Sequence, residues 1–459
     1  MDYHLQLHKK YGKLVRIGPN HVMFSDAALI PQVYGIGSKF MKSDFYLPFD
    51  IKTPTGIMST VFSERDGTAH RGIRRPIANA YALSTLKELE PMNDACSATI
   101  VQKFNGLVGQ DIDLGTWLHW YAFDTITSIT FSNTLGFMEQ ERDIDRIIES
   151  IEGRLMYNSV IGQAPYLHKY LFGSTLVSKL ANLIPSLRIM NTSKYIVAFA
   201  AAQLQRYSAQ DFNTILIKDM LDRFKRTAKD SGEQLISSSR MLSHATSNIF
   251  AGSDTTAASL RSIFYNLCRN PRAHETLLLE LDSAERNGKL SDPVTFSEAQ
   301  NLPYLQAVIR EALRMHPAVG LLLERVVPSG GFEIEIENEN TRISLPEGTI
   351  IGANPWVMAR DEKVYGPDAY EFRPERWLEA NEEELKLMER NGFSFGAGAR
   401  TCLRKNISLL EMSKLVPQLY RQFDFELTDP GKEWELHDYW FVGQTGLICK
   451  VKRRSKKFG

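Results

Sequence analysis

The chain has 459 residues and is 43% hydrophobic, which is ample for a large buried core. Lysine plus arginine and aspartate plus glutamate each number 54, so the charge balance indicates no nucleic-acid partner. The four cysteines are scattered without a CxxC pair, which argues against a disulfide framework and a zinc site of that kind. No linker-like stretch divides the chain, so we expect one large, mostly helical domain.

The predicted secondary structure begins with a hairpin, residues 14–17 and 21–24, around a Gly-Pro-Asn turn. Helical periodicity then dominates from about residue 85 to 315, with the clearest helices predicted at 124–131, 142–154, 211–225, 241–269 and 305–315. Strands are predicted at 332–337, 349–351 and 447–451, and a helix at 407–420. The pattern predicts a mostly α fold with small β-sheets at its margins.

No segment of the sequence reads as a signal peptide or a membrane span. The longest apolar run, residues 195–202, is much shorter than the roughly 20 residues that a bilayer helix needs.

The centre of the predicted helix 241–269 carries poor helix formers, in the run Ala251-Gly-Ser-Asp-Thr-Thr256. One interpretation is that the helix stops at Gly252 and a new helix begins with Asp254 as its N-cap. The other is a local opening of the helix, at which Asp254 and Thr255 face a cavity. An acid beside an alcohol is suited to relaying protons.

Charged residues recur in three further motifs. Glu311 and Arg314 are three apart and share one face of a predicted helix, which alone indicates an ordinary surface ion pair. Arg376 lies in an irregular loop with flanking aromatic residues. His70 and Arg74 are four apart on one helix face, in what is otherwise a solvated basic helix end.

Arg325 follows an apolar run. It is interpreted either as an edge-strand ion pair or as a clamp for a carboxylate.

The most informative segment is the loop Phe395-Gly-Ala-Gly-Ala-Arg-Thr-Cys402, which precedes the predicted helix 407–420. Cys402 would lie where that helix begins, and there the backbone N–H groups and the helix dipole favour a thiolate. The two glycines allow the backbone to approach a large flat group, and Arg400 supplies a charge for carboxylates. A thiolate, a close-approach loop and a cation suit a haem iron with its propionates.

With these motifs in this order, the chain resembles the cytochrome P-450 family of haem-thiolate monooxygenases over essentially all 459 residues. Within the family it is most similar to filamentous-fungal members akin to pisatin demethylase and benzoate para-hydroxylase. The segments that support this placement are Lys42-Ser-Asp-Phe-Tyr46, Lys13-Leu-Val-Arg-Ile-Gly-Pro-Asn20 and Asn354-Pro-Trp356.

The resemblance implies a role for each residue of these motifs. Cys402 would be the proximal iron ligand, with Phe395 packed beside it to tune the thiolate. The propionates would be held by His70, Arg74, Arg325 and Arg400. Asp254 and Thr255 would deliver protons to the dioxygen that is reduced. A charged network behind the haem would comprise Glu311, Arg314 and Arg376. The substrate cavity would be lined by residues 46–57, 156–171, 318–323 and 441–445.

Two departures from the family pattern affect these expectations. The family has glycine two residues after the ligand, where this chain has Arg404. An arginine there would crowd the site, and we expect its side chain either to reach solvent or to pair with an acid or a propionate, because unpaired burial is costly. The chain also begins about where the globular part should, without the membrane-anchoring helix usual in such members, so either the native protein lacks that anchor or the chain is truncated.

Three alternative functions compete with the haem-thiolate interpretation. Residues 392–396 match the nucleophile elbow of serine hydrolases, but a charged helical segment precedes them where a strand is required. The glycines at 396 and 398 lack the third glycine and the strand of a dinucleotide-binding loop. The remaining alternative is a family member that binds haem but turns over poorly because of Arg404.

The resulting hypothesis is a haem monooxygenase that inserts one atom of dioxygen into an apolar small molecule of fungal specialised metabolism or detoxification. No flavin or nicotinamide motif occurs in the sequence, so an NADPH-dependent cytochrome reductase would supply the electrons. The resemblance further implies a monomer on the cytosolic face of the endoplasmic reticulum membrane, although the chain itself could be soluble.

Overall fold

The computed structural model describes residues 2–53, 56–172, 174, 193–209, 219–232, 234–336 and 341–455. The helices up to residue 209 are α1 Asp2–Tyr11, α2 Ile30–Tyr34, α3 Gly67–Arg74, α4 Leu83–Lys87, α5 Glu90–Gly106, α6 Leu114–Phe131, α7 Phe137–Gln140, α8 Ile147–Ile161, α9 His168–Leu171 and α10 Ser193–Ala209. The later helices are α11 Met220–Asp230, α12 Ser238–Arg269, α13 Pro271–Arg286, α14 Phe296–Gln300, α15 Pro303–Met315, α16 Pro355–Met358, α17 Glu362–Tyr365, α18 Arg376–Glu379, α19 Glu382–Asn391 and α20 Lys405–Tyr420.

The strands are short and lie in several small sheets. The largest sheet has the order β1 Leu14–Gly18, β2 His21–Phe24, β10 Ile350–Ala353, β7 Arg325–Val326 and β3 Met41–Lys42. Its strands pair antiparallel except β2 with β10. A second sheet has the order β11 Phe423–Leu427, β14 Ile448–Arg453 and β6 Asp111–Asp113. The remaining strands form three antiparallel hairpins: β4 Ile51–Thr53 with β5 Gly56–Met58, β8 Phe332–Ile336 with β9 Thr341–Leu345, and β12 Glu435–Tyr439 with β13 Phe441–Thr445.

The main core lies where α12 crosses α6 and packs against α5, α13, α15 and α20. Helix α12 is capped at its start by Ser237, whose side-chain oxygen accepts a hydrogen bond from the backbone N–H of Arg240. A Cβ atom added at Gly252 would lie 2.7 Å from Cγ1 of Ile126 on α6. Glycine at this position therefore lets the two helices approach closely.

A buried carboxylate fixes the end of α6. Asp124 accepts hydrogen bonds from the backbone N–H groups of Gly136, Phe137 and Met138 at 2.8, 3.2 and 3.0 Å. These bonds satisfy donors at the start of α7 that the short helix leaves without partners. The turn between α6 and α7 is thereby held against the core.

The predicted fold class, mostly α with small β-sheets, is confirmed. The first hairpin and the predicted helices 241–269, 305–315 and 407–420 are also found, with ends that differ by a few residues. Helix α8 begins at Ile147 rather than at residue 142, because Asp145 and Arg146 adopt left-handed backbone angles. Of the predicted helix 211–225, residues 211–218 lie outside the described part of the chain.

In the described part of the chain, none of the helices combines the length and the apolar character required to cross a bilayer.

Candidate active site

The loop before α20 folds tightly and directs Cys402 into the interior. The backbone N–H of Cys402 donates to the carbonyl of Phe395 at 2.9 Å, which closes the loop. Gly396 and Gly398 adopt left-handed φ values of 68° and 61°. A Cβ atom on Gly398 would lie 2.0 Å from the carbonyl oxygen of Tyr34, so only glycine fits there. Cys402 is the most exposed of the four cysteines, and its exposed surface faces a cavity.

The surroundings of the Cys402 thiol shift its pKa in opposite directions. Burial raises its pKa, and this outweighs the positive charges of Arg404 and Arg74 and the backbone N–H groups of Arg404 and Lys405. The sequence predicted that the helix start would favour the thiolate, and the N–H groups do act in that sense. A metal cation at the sulfur would displace the proton outright.

The cavity lies between the Cys402 loop and the middle of α12. Ala251, Thr255 and Ser259 line it from the helix, and Phe395 and Cys402 line it from the loop. Helix α12 is continuous from Ser238 to Arg269, so the alternative of a helix break at Gly252 is wrong. Its poor helix formers are accommodated by burial, by the close contact at Gly252 and by side-chain bonds to the helix backbone.

Cations converge on one side of the cavity. Its lining includes His70, Arg74, Arg325 and Arg400, which were predicted to hold propionates, and also Lys42, which was quoted only as part of a family segment. Within the described chain, no carboxylate lies within 4.0 Å of Lys42 or of these three arginines.

The cations instead donate to backbone carbonyl groups. Arg74 donates to Thr401 at 2.8 Å, Arg325 to Glu324 at 2.7 Å and Arg400 to Arg65 at 2.9 Å. Lys42 donates to the carbonyl of Phe62.

A cluster of buried cations without counter-ions is electrostatically costly unless an anion joins it. Burial and the charge of Arg325 lower the pKa of Arg400 to about 10, and burial lowers the pKa of Lys42. Burial and the neighbouring Arg400 lower the pKa of His70 to about 3, so this side chain is neutral and offers a hydrogen bond rather than a charge. These residues fit haem, whose two propionates would supply the missing negative charge and whose iron would face the Cys402 sulfur.

The two residues predicted to relay protons point in different directions. Thr255 lines the cavity, and its hydroxyl donates to the carbonyl of Ala251 at 2.8 Å. Asp254 is not among the lining residues, and its Oδ1 lies 2.7 Å from Nε2 of His119 on α6. Burial lowers the pKa of His119. In this arrangement Thr255 has direct access to the cavity and Asp254 does not.

The structure brings Glu311, Arg314 and Arg376 together. Glu311 accepts from Arg314 Nη2 at 2.7 Å and Nε at 2.9 Å, and from Arg376 Nε at 2.9 Å. The indole N–H of Trp377 and the backbone N–H of Arg373 complete its shell at 2.9 and 3.0 Å. Burial would raise the pKa of Glu311, but the bonds and charges of the two arginines lower it overall. The three side chains are almost completely buried, so a surface ion pair does not describe them.

Arg404 immediately precedes α20 as its N-cap residue and is only 9% exposed. Its Nε donates to Oδ1 of Asn248 at 2.8 Å, and its Cζ lies 5.6 Å from the ring centre of Tyr81. Of the two expected outcomes for this side chain, the one in which it reaches solvent is wrong. An amide oxygen and the face of a ring offset part of the cost of burying the guanidinium, although no carboxylate of the described residues pairs with it.

The predicted substrate segments contribute unequally to the cavity. Residues 46–57 contribute Tyr46, Phe49, Asp50 and Ile51, with residues 54 and 55 outside the described part, and 318–323 contribute Ala318, Val319 and Leu323. Only Asn158 comes from 156–171 and only Phe441 from 441–445. Sequence reasoning missed the lining residues Phe62, Arg154, Thr246, Phe250 and Trp440. The one usable signal was Arg154, the lone cation of α8.

The other candidate sites are not supported. Residues 392–396 follow α19 and not a strand, and the Ser394 hydroxyl donates to the carbonyl of Leu313 at 2.8 Å. The glycine loop likewise has a helix before it, unlike a dinucleotide-binding loop.

Comparison with known proteins agrees with this geometry. A family model described as cytochrome P450 matches residues 1–447. The chain is 36% identical to cytochrome P450 monooxygenase cicH of Emericella nidulans, over 98% of this chain and 88% of that protein. It is 35% identical to pisatin demethylase of Fusarium vanettenii, over 95% and 81% of the two chains. It is 36% identical to cytochrome P450 monooxygenase mpaDE of Penicillium roqueforti over 99% of its own length, which is about half of that protein (52%).

Proposed function

The chain belongs to the cytochrome P450 family of haem-thiolate monooxygenases, and from that premise we propose that it inserts one atom of dioxygen into a largely apolar small molecule. The reaction would be a hydroxylation, a demethylation or an epoxidation. The observation that carries the proposal is that Cys402, Thr255 and the cations without a carboxylate partner among the described residues all face one cavity.

Haem supplies the redox-active iron at which dioxygen is reduced. In our proposal Cys402 would hold the iron through its sulfur, and the propionates would be bound by Lys42, Arg74, Arg325 and Arg400. His70 adds a neutral hydrogen bond. The Thr255 hydroxyl would leave its bond to the Ala251 carbonyl and donate a proton into the cavity. Asp254 would replenish that proton after turning away from His119.

The aromatic side chains on the substrate side exclude water. Phe49 and Phe62 pack on Trp440 with ring centres 5.4 and 5.6 Å apart. Phe250 and Val319 extend this apolar surface within the cavity. Such a wall favours a substrate that is mostly hydrocarbon or aromatic.

The relatives named above are fungal enzymes, and one is named a demethylase. We extend this to a role in fungal specialised metabolism or detoxification for the present chain. We also propose that residues 1–459 act as one monomeric haem domain, served by an NADPH-cytochrome reductase on the cytosolic face of the endoplasmic reticulum membrane.

The decisive experiment is the reduced-carbon-monoxide difference spectrum of the purified protein. We expect the strongly red-shifted Soret band of a thiolate-ligated haem in the wild type and in Cys268→Ser, whose sulfur lies elsewhere near the Phe425 carbonyl. Cys402→His should lose the band. A band that persists in Cys402→His would refute the ligand assignment.

An alternative is a protein that binds haem but turns over poorly because of Arg404. This alternative predicts a normal spectrum, with NADPH consumption that yields no oxidised product from any member of a broad substrate panel. Product formation by the reconstituted wild type would exclude it.

A further inference from the structure

A second polar group faces the cavity from α8, away from the predicted haem residues. Arg154 is 4% exposed and belongs to the cavity lining. Its Nη2 donates to the carbonyls of Pro48 and Asp50, the latter at 3.3 Å. The rings of Phe172 and Tyr157 lie 4.5 and 5.1 Å from its Cζ. The guanidinium is therefore held in place by one nitrogen and two rings.

The rest of the guanidinium has no protein partner among the described residues. Its Nε and Nη1 make no hydrogen bond there, and no carboxylate lies within 4.0 Å of it. Burial lowers the pKa of Arg154 to about 10, so the side chain still carries its charge at neutral pH. A buried cation with free donors that line a cavity is disposed to bind an acceptor from within that cavity.

Asn158 lies one helical turn further along α8 and supplies a second, independent observation. It is 1% exposed and lines the same cavity. Neither its Oδ1 nor its Nδ2 has a hydrogen-bond partner among the described residues. Buried amides are normally satisfied, so a fully buried amide without partners inside a binding cavity indicates a missing ligand.

Asp50 and Thr246 add to the polar character of this region. Both line the cavity, and the Thr246 hydroxyl has no partner within the described chain. Burial raises the pKa of Asp50, whose carboxyl group receives a hydrogen bond from Ser63. None of the contacts given for Arg154 or Asn158 involves the Cys402 loop or the cations around it. The cavity thus has a second polar region that is separate from the one fitted to haem.

From these observations we propose that the substrate carries a polar end with acceptor oxygens, a carboxylate or a carbonyl, which Arg154 and Asn158 bind. The proposal rests on the monooxygenase function and narrows its substrate class. The apolar body would lie along the aromatic wall, so that Arg154 and Asn158 would position the molecule and select which carbon is oxidised. A purely hydrocarbon ligand would leave both residues unsatisfied.

The test is calorimetric titration of the haem-loaded protein with three probes of equal skeleton: phenylbutanoate, methyl phenylbutanoate and butylbenzene. We expect one or both oxygenated probes to bind the wild type roughly tenfold more tightly than butylbenzene. A preference for the acid identifies a carboxylate, and equal or tighter binding of the ester identifies a neutral carbonyl.

Variants show which residues cause the preference for the oxygenated probes. Arg154→Met and Asn158→Leu should each reduce it to about twofold or less while binding butylbenzene as the wild type does. Arg226→Met, a half-exposed arginine on α11, should retain the full preference. If Arg154→Met fails to load haem, Asn158→Leu carries the test alone.

Butylbenzene binding as tightly as both oxygenated probes, or a preference that survives in Asn158→Leu, would overturn the proposal. Because calorimetry reports binding without turnover, the outcome is independent of the carbon monoxide spectrum and of product formation. Failure of the monooxygenase proposal would appear in those two measurements and not in the ligand preference.

Discussion

The Nε of Arg404 donates a hydrogen bond to Oδ1 of Asn248, and Asn248 also accepts one from the Tyr81 hydroxyl at 2.6 Å. A cation two residues from the proposed iron ligand Cys402 is therefore hydrogen-bonded to α12 and does not reach solvent. Its positive charge also acts on the Cys402 sulfur, in the direction that favours the thiolate.

Arg404 is expected to raise the haem reduction potential by drawing electron density from the sulfur. Arg404→Gly and Arg404→Gln should both lower the potential, whereas Arg404→Lys should leave it near the wild-type value, because the effect follows the charge. Spectroelectrochemical titration of the four proteins measures this. An equal reduction potential in all four proteins would show that the charge of residue 404 does not affect the haem iron.

The same series separates charge from structure. Arg404→Gly removes the bond to Asn248 and the contact with Tyr81, so we expect a loss of about 1–3 kcal/mol of unfolding free energy. Arg404→Gln should lose less, since an amide can still donate to Asn248. Improved haem retention in the glycine variant would instead indicate that arginine distorts the cysteine loop.

Glu311→Ala should be strongly destabilising. The change leaves Arg314 and Arg376 buried without their shared carboxylate, at a cost on the order of 3–5 kcal/mol. We expect little haem-loaded protein, measured as the ratio of Soret to protein absorbance. The matched control is Arg310→Ala on the same helix, which breaks a half-exposed pair with Glu389 and should cost about 1 kcal/mol or less. Equal haem occupancy in the two variants would contradict a structural role for the network.

Thr255→Ala should uncouple NADPH consumption from product formation. Without the hydroxyl, protons reach the reduced dioxygen less selectively, and we expect peroxide to replace product, with product per NADPH falling about tenfold or more. Thr256→Ala is the control, because Thr256 bonds Ser408 at 2.8 Å and is not part of the cavity lining. An unchanged ratio of product to peroxide in Thr255→Ala would refute the relay.

Glu324 makes the stability depend on pH. Burial raises its pKa from the usual range to about 7, although Ser43 donates to it. The folded protein then holds a proton that the unfolded chain has lost, so stability falls as the pH rises from about 4.5 to about 7. At pH 8 the penalty is about 3 kcal/mol, which Glu324→Gln should remove. Urea unfolding at pH 5 and pH 8 measures it, and an equal pH dependence in wild type and variant would contradict the assignment.

Local motifs allowed much of the fold and the cofactor side of the site to be predicted. The cysteine loop carries its two glycines, Arg400 and Cys402 within eight residues, and the pair of Glu311 and Arg314 can be recognised within one helical turn. The side chains that depend on tertiary contacts were not accessible in this way. Whether Asp254 turns to the cavity is decided by His119 on a crossing helix, and the burial of Arg404 is decided by Asn248. The binding role proposed for Arg154 and Asn158 can be recognised only from the cavity that they line.

The contact between Gly398 and the carbonyl of Tyr34 joins opposite ends of the chain. The Tyr34 hydroxyl in turn donates to Leu323 at 2.6 Å and accepts from the backbone N–H of Ala353 at 2.8 Å. Helix α2, the five-stranded sheet and the cysteine loop are thus held together by direct contacts. In a chimaeric protein made from two homologous parents, a crossover anywhere between these segments would take the two sides of this contact from different parents. Helix α2 and the cysteine loop therefore have to be inherited together, as if they were neighbours in sequence.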